Sequence, residues 1–145
     1  MREKEQLKKL KKILGFYEQN LELLRSRFVE QSSIVAKRQK ETNRLTEYLA
    51  ETQEKSAQAE ASVFSQQMAV QVLDAIEMKI VAAQEQLNDS KRILEERRVE
   101  LYQQMSKTES LEKLVAKKQE AIVQQHRQSE QRNADERFLN TYFTG

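Results

Sequence analysis

The sequence contains no cysteine, no proline and no tryptophan, and its only glycines are Gly15 and Gly145. Without cysteine the chain has no disulfide framework and no thiolate ligands for zinc or redox chemistry. Without proline, and with almost no glycine, it has few means of making tight turns or β-hairpins. It also lacks an apolar run of the roughly 18 residues that a membrane span needs, and the charged start at residues 1–7 lacks the apolar segment of a signal peptide. These absences predict a helical protein of the cytosol.

The composition is that of a long helix with a narrow apolar face. Of the 145 residues, 38% are hydrophobic and 33% are charged, and the net charge is +2. The length suggests a single domain. The apolar fraction is too low for a thick globular core but adequate for one apolar seam. The small net charge gives the whole chain no strong attraction to nucleic acid or to a membrane.

The second half of the chain carries a heptad repeat. Every seventh residue from Leu73 to Ile122 is large and apolar, with Thr108 as the exception. The positions three residues further on form a mixed second column that includes Ile76 and Leu111. An apolar seam that repeats every 3.5 residues stays buried only when it supercoils against a partner helix, so the spacing predicts a coiled coil.

The first half carries a matching seam. Steps of three and four residues from Leu7 to Leu49 meet apolar side chains except at Gln31, Arg38 and Thr42. Regular alternation is absent, which argues against strands. The predicted seam residues of the two halves are Leu7, Leu10, Leu14, Tyr17, Leu21, Leu24, Phe28, Val35, Leu45, Leu49, Leu73, Ile76, Ile80, Leu87, Leu94, Leu101, Leu111 and Val115.

Together the two seams predict an all-α fold, a long two-helix antiparallel coiled-coil hairpin with a C-terminal helical overhang. We expect one domain over residues 1–145, with helix one at about 3–54, the reversal at about 55–64 and helix two at about 65–140. The reversal is placed there because residues 51–67 lose the seam and contain serines that can cap a helix start.

Polar breaks in the seams predict the register. If Leu49 faces Leu73, antiparallel partners have residue numbers that sum to about 122. Gln31 then lies opposite Ser90, where two polar groups can satisfy each other, and Arg38 lies opposite the small Ala83, which leaves room for the long side chain. Charge favours the same pairing, because residues 1–49 carry 12 Lys/Arg and 7 Asp/Glu, net +5, whereas residues 50–100 carry 6 and 10, net −4.

The end of helix two has no partner in this register. Beyond Ile122 the sequence is polar until four large apolar residues appear with the spacing of one helical face. A frayed tail and a tail folded back on the hairpin are alternatives, but such a cluster at a free end suggests a protein-binding surface. The predicted partner-binding residues are Ile122, Phe138, Leu139, Tyr142 and Phe143.

Residues for catalysis are not apparent. The only histidine, His126, lies in a polar run and is interpreted as a surface imidazole. There is no Gly-rich phosphate loop and no Cys/His cluster, so we predict no catalytic, cofactor-binding or metal site and no enzymatic activity. The basic run Lys8–Lys12 is open to two interpretations, a contact with phosphates or anionic lipid, or an ordinary solvent face.

The chain resembles a known family, the FliJ proteins of flagellar export, and their YscO-like relatives in injectisomes. The segment Val72–Glu77 (VLDAIE) is similar to an apolar "LxxAI" segment near the start of the family's second helix. The run that begins ESLEKL at Glu109 is similar to its C-terminal basic segment with a closing Asp-Glu, and Leu45–Tyr48 fits a Leu-Tyr segment before the reversal. The resemblance covers about residues 5–139. Family members often carry a tryptophan in helix two, where this chain has Tyr102 as the nearest aromatic residue.

The resemblance implies a stalk and escort component of the export apparatus, similar to the central stalk of rotary ATPases. Its partners would be the hexameric export ATPase, the membrane export gate and the export chaperones, with residues 122–143 in the ATPase ring. It also implies a cytoplasmic protein held peripherally at the cell membrane without insertion into it. We expect the free chain to be a monomeric hairpin.

Three other interpretations remain open from sequence. A generic coiled-coil scaffold or adaptor needs no ATPase. A prefoldin-type chaperone subunit is also a helical hairpin, but it places β-hairpins between its helices, and residues 50–67 have no β-branched run or glycine turn. An intermolecular coiled coil, with the chain extended as one helix, is compatible with the lack of glycine and proline near residue 60.

Overall fold

The computed structural model describes residues 2–58 and 63–144, and both described ranges are helical. Helix α1 comprises Arg2–Gln58 and helix α2 comprises Val63–Thr144. The two helices pack against each other as a hairpin, which confirms the predicted all-helical fold. The predicted reversal at about 55–64 includes residues 59–62, which lie outside the described residues.

The sequence explains why neither helix is interrupted. Proline is absent from the chain, and Gly15, the one glycine among the described residues, keeps a helical backbone without a positive φ. The first turn of α1 carries Glu3 and Glu5 and its last turn carries Lys55, so charges at both ends oppose the helix dipole. Neither end of α2 has such charges, and its stability must come mainly from packing against α1.

The chain divides into two compact units, and each helix contributes to both. The first unit contains Met1–Leu23 and Tyr102–Gly145, and the second contains Leu24–Leu101. The prediction that residues 1–145 form one domain stays a prediction.

The core of the second unit is a single strip along the facing sides of the helices. Ile76 and Leu87 are its buried apolar residues, and Leu87 is only 1% exposed. Thr42 and Ser90 are buried polar residues in the same strip. The other predicted seam positions of this unit are half-buried, because a two-helix layer covers only one side of each helix.

The first unit repeats this arrangement. Leu21 and Val115 are buried apolar residues, and Gln104 and Thr108 are buried polar ones. Its remaining predicted seam positions are half-buried; they are Leu7, Leu10, Leu14, Tyr17 and Leu111.

Hydrogen bonds across the helices give the register. In the second unit Gln31 Nε2 donates to the main-chain oxygen of Ser90 at 3.0 Å, so the predicted pairing of these residues is confirmed, with the backbone rather than the hydroxyl as acceptor. Arg38 Nη1 donates to Gln86 Oε1 at 2.7 Å, one helical turn from the predicted neighbour Ala83. In the first unit Lys118 Nζ donates to Gln6 Oε1 at 3.1 Å.

Candidate protein-binding surfaces

The C-terminal part of α2 extends past the start of α1. The first turn of α1 shares a groove with α2 that is lined by Glu3 and Lys4 on one side and by residues from Ile122 to Glu130 on the other. Beyond this groove, residues 131–143 are all exposed. Helix α2 therefore continues, uncovered, past the first described turn of α1.

Four apolar side chains form the aromatic cluster at the end of this extension. Phe138 and Tyr142 stack with ring centroids 6.2 Å apart, and Tyr142 meets Phe143 edge to face at 5.4 Å. Even so, Phe138 is 69% exposed and Phe143 is 77% exposed. Leu139, the fourth member, is half exposed. Contacts within the cluster cover little of its apolar surface, which leaves a patch of the kind that protein partners bury.

Ile122 has different surroundings from the other predicted partner-binding residues. It is half-buried and lines the groove beside the first turn of α1. Its position marks the end of the predicted seam, about four turns before the aromatic cluster. A single partner surface would have to be long to contact both.

A polar layer crosses the seam of the first unit. Asn20 Nδ2 donates to Gln104 Oε1 at 2.9 Å, and Gln104 Nε2 lies 3.4 Å from the hydroxyl of Thr108. The Thr108 hydroxyl in turn donates to the main-chain oxygen of Gln104 at 2.8 Å. Thr108 can occupy a position in the apolar column because its hydroxyl is hydrogen-bonded within this layer. Polar layers of this kind favour one register over others.

The second unit carries two apolar features beside its buried strip. Met78 and Val81 lie on the outer side of α2, largely exposed, beside Asp74, Glu77 and Glu85. A separate groove between the helices is floored by small side chains and is lined by Leu45, Tyr48, Ala82, Ala83 and neighbouring charged residues. Apolar residues outside the 3–4 repeat were the available sequence signal for Met78 and Val81, whereas the groove includes the predicted seam residue Leu45.

Two exposed ion pairs lie on α2. Arg98 contacts Glu95 through two nitrogens, with Nε 2.8 Å from Oε2. This hydrogen bond is the main reason why the pKa of the Glu95 carboxyl lies below its usual value. Desolvation acts in the opposite direction, and the charge of Arg98 adds to the lowering. His126 Nε2 lies 3.0 Å from Glu130 Oε1, and both side chains are exposed. Among residues 2–58 and 63–144 no group of three or more His, Cys, Asp or Glu side chains is placed to hold a metal ion.

No described helix is long and apolar enough to cross a membrane.

Comparison with protein families gives a match to the family described as "Flagellar FliJ protein" over residues 5–144. The chain belongs to the FliJ family. Comparison with curated proteins gave no match, and comparison with solved structures gave none. The FliJ-family match covers nearly the whole chain and includes both helices, so it applies to the hairpin and to the C-terminal extension alike.

Membership of the FliJ family gives the broad function. The chain is a non-enzymatic component of the flagellar export apparatus. Its surfaces agree with a role in binding other proteins, because the FliJ-family hairpin presents exposed apolar clusters in each unit.

Proposed function

We propose that this FliJ-family chain is a stalk that binds the hexameric export ATPase through its aromatic cluster, residues 138–143. The observation that carries the proposal is the cluster's exposure on a helical extension that α1 does not cover. Four large apolar side chains in water are unfavourable unless a partner buries them, and aromatic side chains are frequent anchors at the centre of protein interfaces.

The extension also suits a narrow binding site. Between the groove at the first turn of α1 and the aromatic cluster, α2 is a single helix. A single α-helix with its side chains is about 10–12 Å across, whereas a helix pair is wider by the interaxial distance of about 8–10 Å. A lone helix that ends in apolar residues can enter a central opening of a ring, as the resemblance to rotary-ATPase stalks suggests.

The export gate is the second proposed partner, and the exposed pair Met78 and Val81 is its candidate contact. This pair is apolar, exposed and bordered by the carboxylates of Asp74, Glu77 and Glu85. A contact in the second unit leaves the aromatic cluster free for the ATPase. Export chaperones are proposed as further partners, in keeping with the resemblance, and the protein is proposed to work in the cytoplasm at the inner face of the membrane.

The test is a pull-down of the cognate export ATPase with the full-length chain and two matched variants. Phe138→Ser with Tyr142→Ser changes the aromatic cluster, and Met78→Ser with Val81→Ser changes an equally exposed apolar pair. We expect the first variant to lose at least about thirtyfold in affinity, since the loss of even one buried aromatic anchor costs about 2 kcal/mol or more. The second variant should bind as the unchanged chain does.

The same variants test the gate contact in the opposite direction. With the cytoplasmic part of the export gate as bait, the Met78/Val81 variant should lose binding and the Phe138/Tyr142 variant should retain it. Equal ATPase binding by all three proteins would contradict the stalk contact. A chain that ends after Glu130 keeps the groove at the first turn of α1 and should bind the ATPase no better than the Phe138/Tyr142 variant.

A further inference from the structure

The outer side of α1 in the first unit carries an unusual combination of lysines and exposed apolar residues. We call it the lysine face and define it as Lys8, Lys9, Lys12, Phe16 and Leu23. At about 100° per residue these five positions fall within an arc of about 100°, and that arc is centred about 180° from the seam. All five side chains are exposed, with Phe16 at 59% and Leu23 at 50%.

The lysines of this face are not used inside the protein. From Gln6 to Tyr17 the sequence contains four lysines and no acidic residue. No ion pair within the described ranges 2–58 and 63–144 involves any of the four. Glu5, one turn before Lys9, is the acidic residue on the same side of the helix. The face therefore presents concentrated positive charge to its surroundings, although the whole chain is nearly neutral.

We propose that the lysine face binds the surface of an anionic lipid bilayer. Charge complementarity is the first argument, since each lysine near an anionic leaflet contributes about a fivefold gain in binding. The apolar residues are the second argument. Phe16 and Leu23 lie two turns apart on the same line of the helix as Lys9 and Lys12, where they can enter the interface while the lysines extend to the phosphates.

The form of the surface favours lipid over the other polyanions. A standard protein interface uses roughly 20–30 residues on each side, whereas this face has five side chains on one convex helix. Nucleic acid would pair with the lysines but would place phosphates against Phe16 and Leu23. Gly15, beside this face, has nothing within 4 Å of where a Cβ would lie, so the backbone can approach the interface closely there.

The first test is co-sedimentation of the full-length chain with vesicles. Phosphatidylcholine vesicles serve as the neutral surface, and vesicles with phosphatidylglycerol in part of their lipid serve as the anionic one. We expect binding to the anionic vesicles alone, weakened by added salt. Lys8→Gln with Lys9→Gln and Lys12→Gln should reduce binding on the order of a hundredfold, whereas Glu5→Gln should increase it. Lys37→Gln with Lys40→Gln and Lys91→Gln removes the same charge from exposed positions of the second unit and should have little effect.

The second test asks whether Phe16 enters the interface. The chain has no tryptophan, so Phe16→Trp supplies a single indole that can be excited apart from the tyrosines, and Val29→Trp, at a 66% exposed position of the second unit, is its control. We expect anionic vesicles to shift the indole emission of the Phe16→Trp variant to the blue and to leave that of the Val29→Trp variant unchanged. Double-stranded DNA of the same charge concentration should produce no shift in either variant.

Three results would overturn the proposal. They are equal binding to neutral and anionic vesicles, a triple-lysine variant that binds as the control does, and anionic-vesicle binding without a shift at residue 16. The last result, together with tight DNA binding, would reassign the face to nucleic acid. Circular dichroism of each variant confirms that it is folded. Vesicles contain no export protein, so failure here leaves the proposed ATPase and gate contacts untouched.

Discussion

Helix α2 carries large apolar side chains in two places with opposite surroundings. Along the seam, Ile76 and Leu87 lie against α1 and are buried. Around Phe138 and Tyr142, apolar residues with the spacing of the seam are stacked on each other and exposed. The comparison teaches that a repeat of this kind shows which side of a helix avoids water. It does not show which molecule covers that side, and this depends on where the partner helix ends.

The largest expected effect on stability is at Leu87, where α1 covers α2. Leu87→Ala leaves a cavity in a strip that has no second layer behind it, and the free energy of unfolding should fall by about 2–5 kcal/mol. Val81→Ala, on the outer side of the same helix and 59% exposed, is the matched control and should change it by less than about 0.5 kcal/mol. Urea unfolding followed by circular dichroism measures both. Equal losses would mean that the outer side of α2 is also covered.

The polar layer should show an intermediate effect. Gln104→Ala removes the acceptor of Asn20 and one neighbour of Thr108, and we expect a loss of about 1–2 kcal/mol. A double-mutant cycle with Asn20→Ala should give a coupling energy of about 0.5–1.5 kcal/mol, because the two side chains bond each other across the helices. Additive losses would show that this bond contributes nothing to stability.

Gly15→Ala should be stabilising. The helix there has ordinary backbone geometry and open space around the position, so an added methyl group meets nothing. The gain should approach about 1 kcal/mol, the difference in helix propensity between the two residues. Gln19→Ala, one turn further along α1 and exposed, should change the unfolding free energy by less than about 0.5 kcal/mol. A destabilised Gly15→Ala protein would indicate a neighbour at this position in solution.

The smallest effect on stability is expected at the aromatic cluster, which α1 does not cover. Phe138→Ser with Tyr142→Ser removes two large rings, yet the unfolding free energy should change by less than about 0.5 kcal/mol, because the rings are mostly in water already. Thermal and urea unfolding of the free chain measure this. A clear loss of stability would mean that the tail folds back on the hairpin, which was one interpretation left open by the sequence.

The fold was predictable because one physical rule governs nearly all of it. Two apolar seams of the same period, joined by a short segment without a seam, are buried most simply when the helices pack as a hairpin. The polar residue Gln31, opposite Ser90, then predicts the register. The acceptor in that pair could not be predicted. The hydroxyl and the carbonyl oxygen of Ser90 lie close together, and a small shift of one helix along the other decides which of them the Gln31 amide reaches.

The candidate surfaces were less predictable. The aromatic cluster was apparent because its residues are large and lie beyond the predicted seam, where the register gives them no partner in helix one. The sequence pattern does not single out Phe16 and Leu23, because a lone apolar residue on a charged side of a helix is common and gives no periodic signal. What distinguishes them is that they lie in line with lysines that form no ion pair among the described residues. The absence of those ion pairs is known only from the structure.

The hydrogen bonds that join the helices close chain loops of very different length. Arg38 and Gln86 are 48 residues apart in sequence, whereas Gln6 and Lys118 are 112 apart. The chain entropy lost on closing a loop grows with its length, and a pairing already formed nearer the reversal shortens every later loop. We therefore expect the hairpin to close in sequence from the second unit toward the chain ends, and to open in the reverse order. Amide hydrogens in the first turns of α1 should therefore exchange fastest among those of the paired helices. A partner that binds those turns would slow the first step of unfolding.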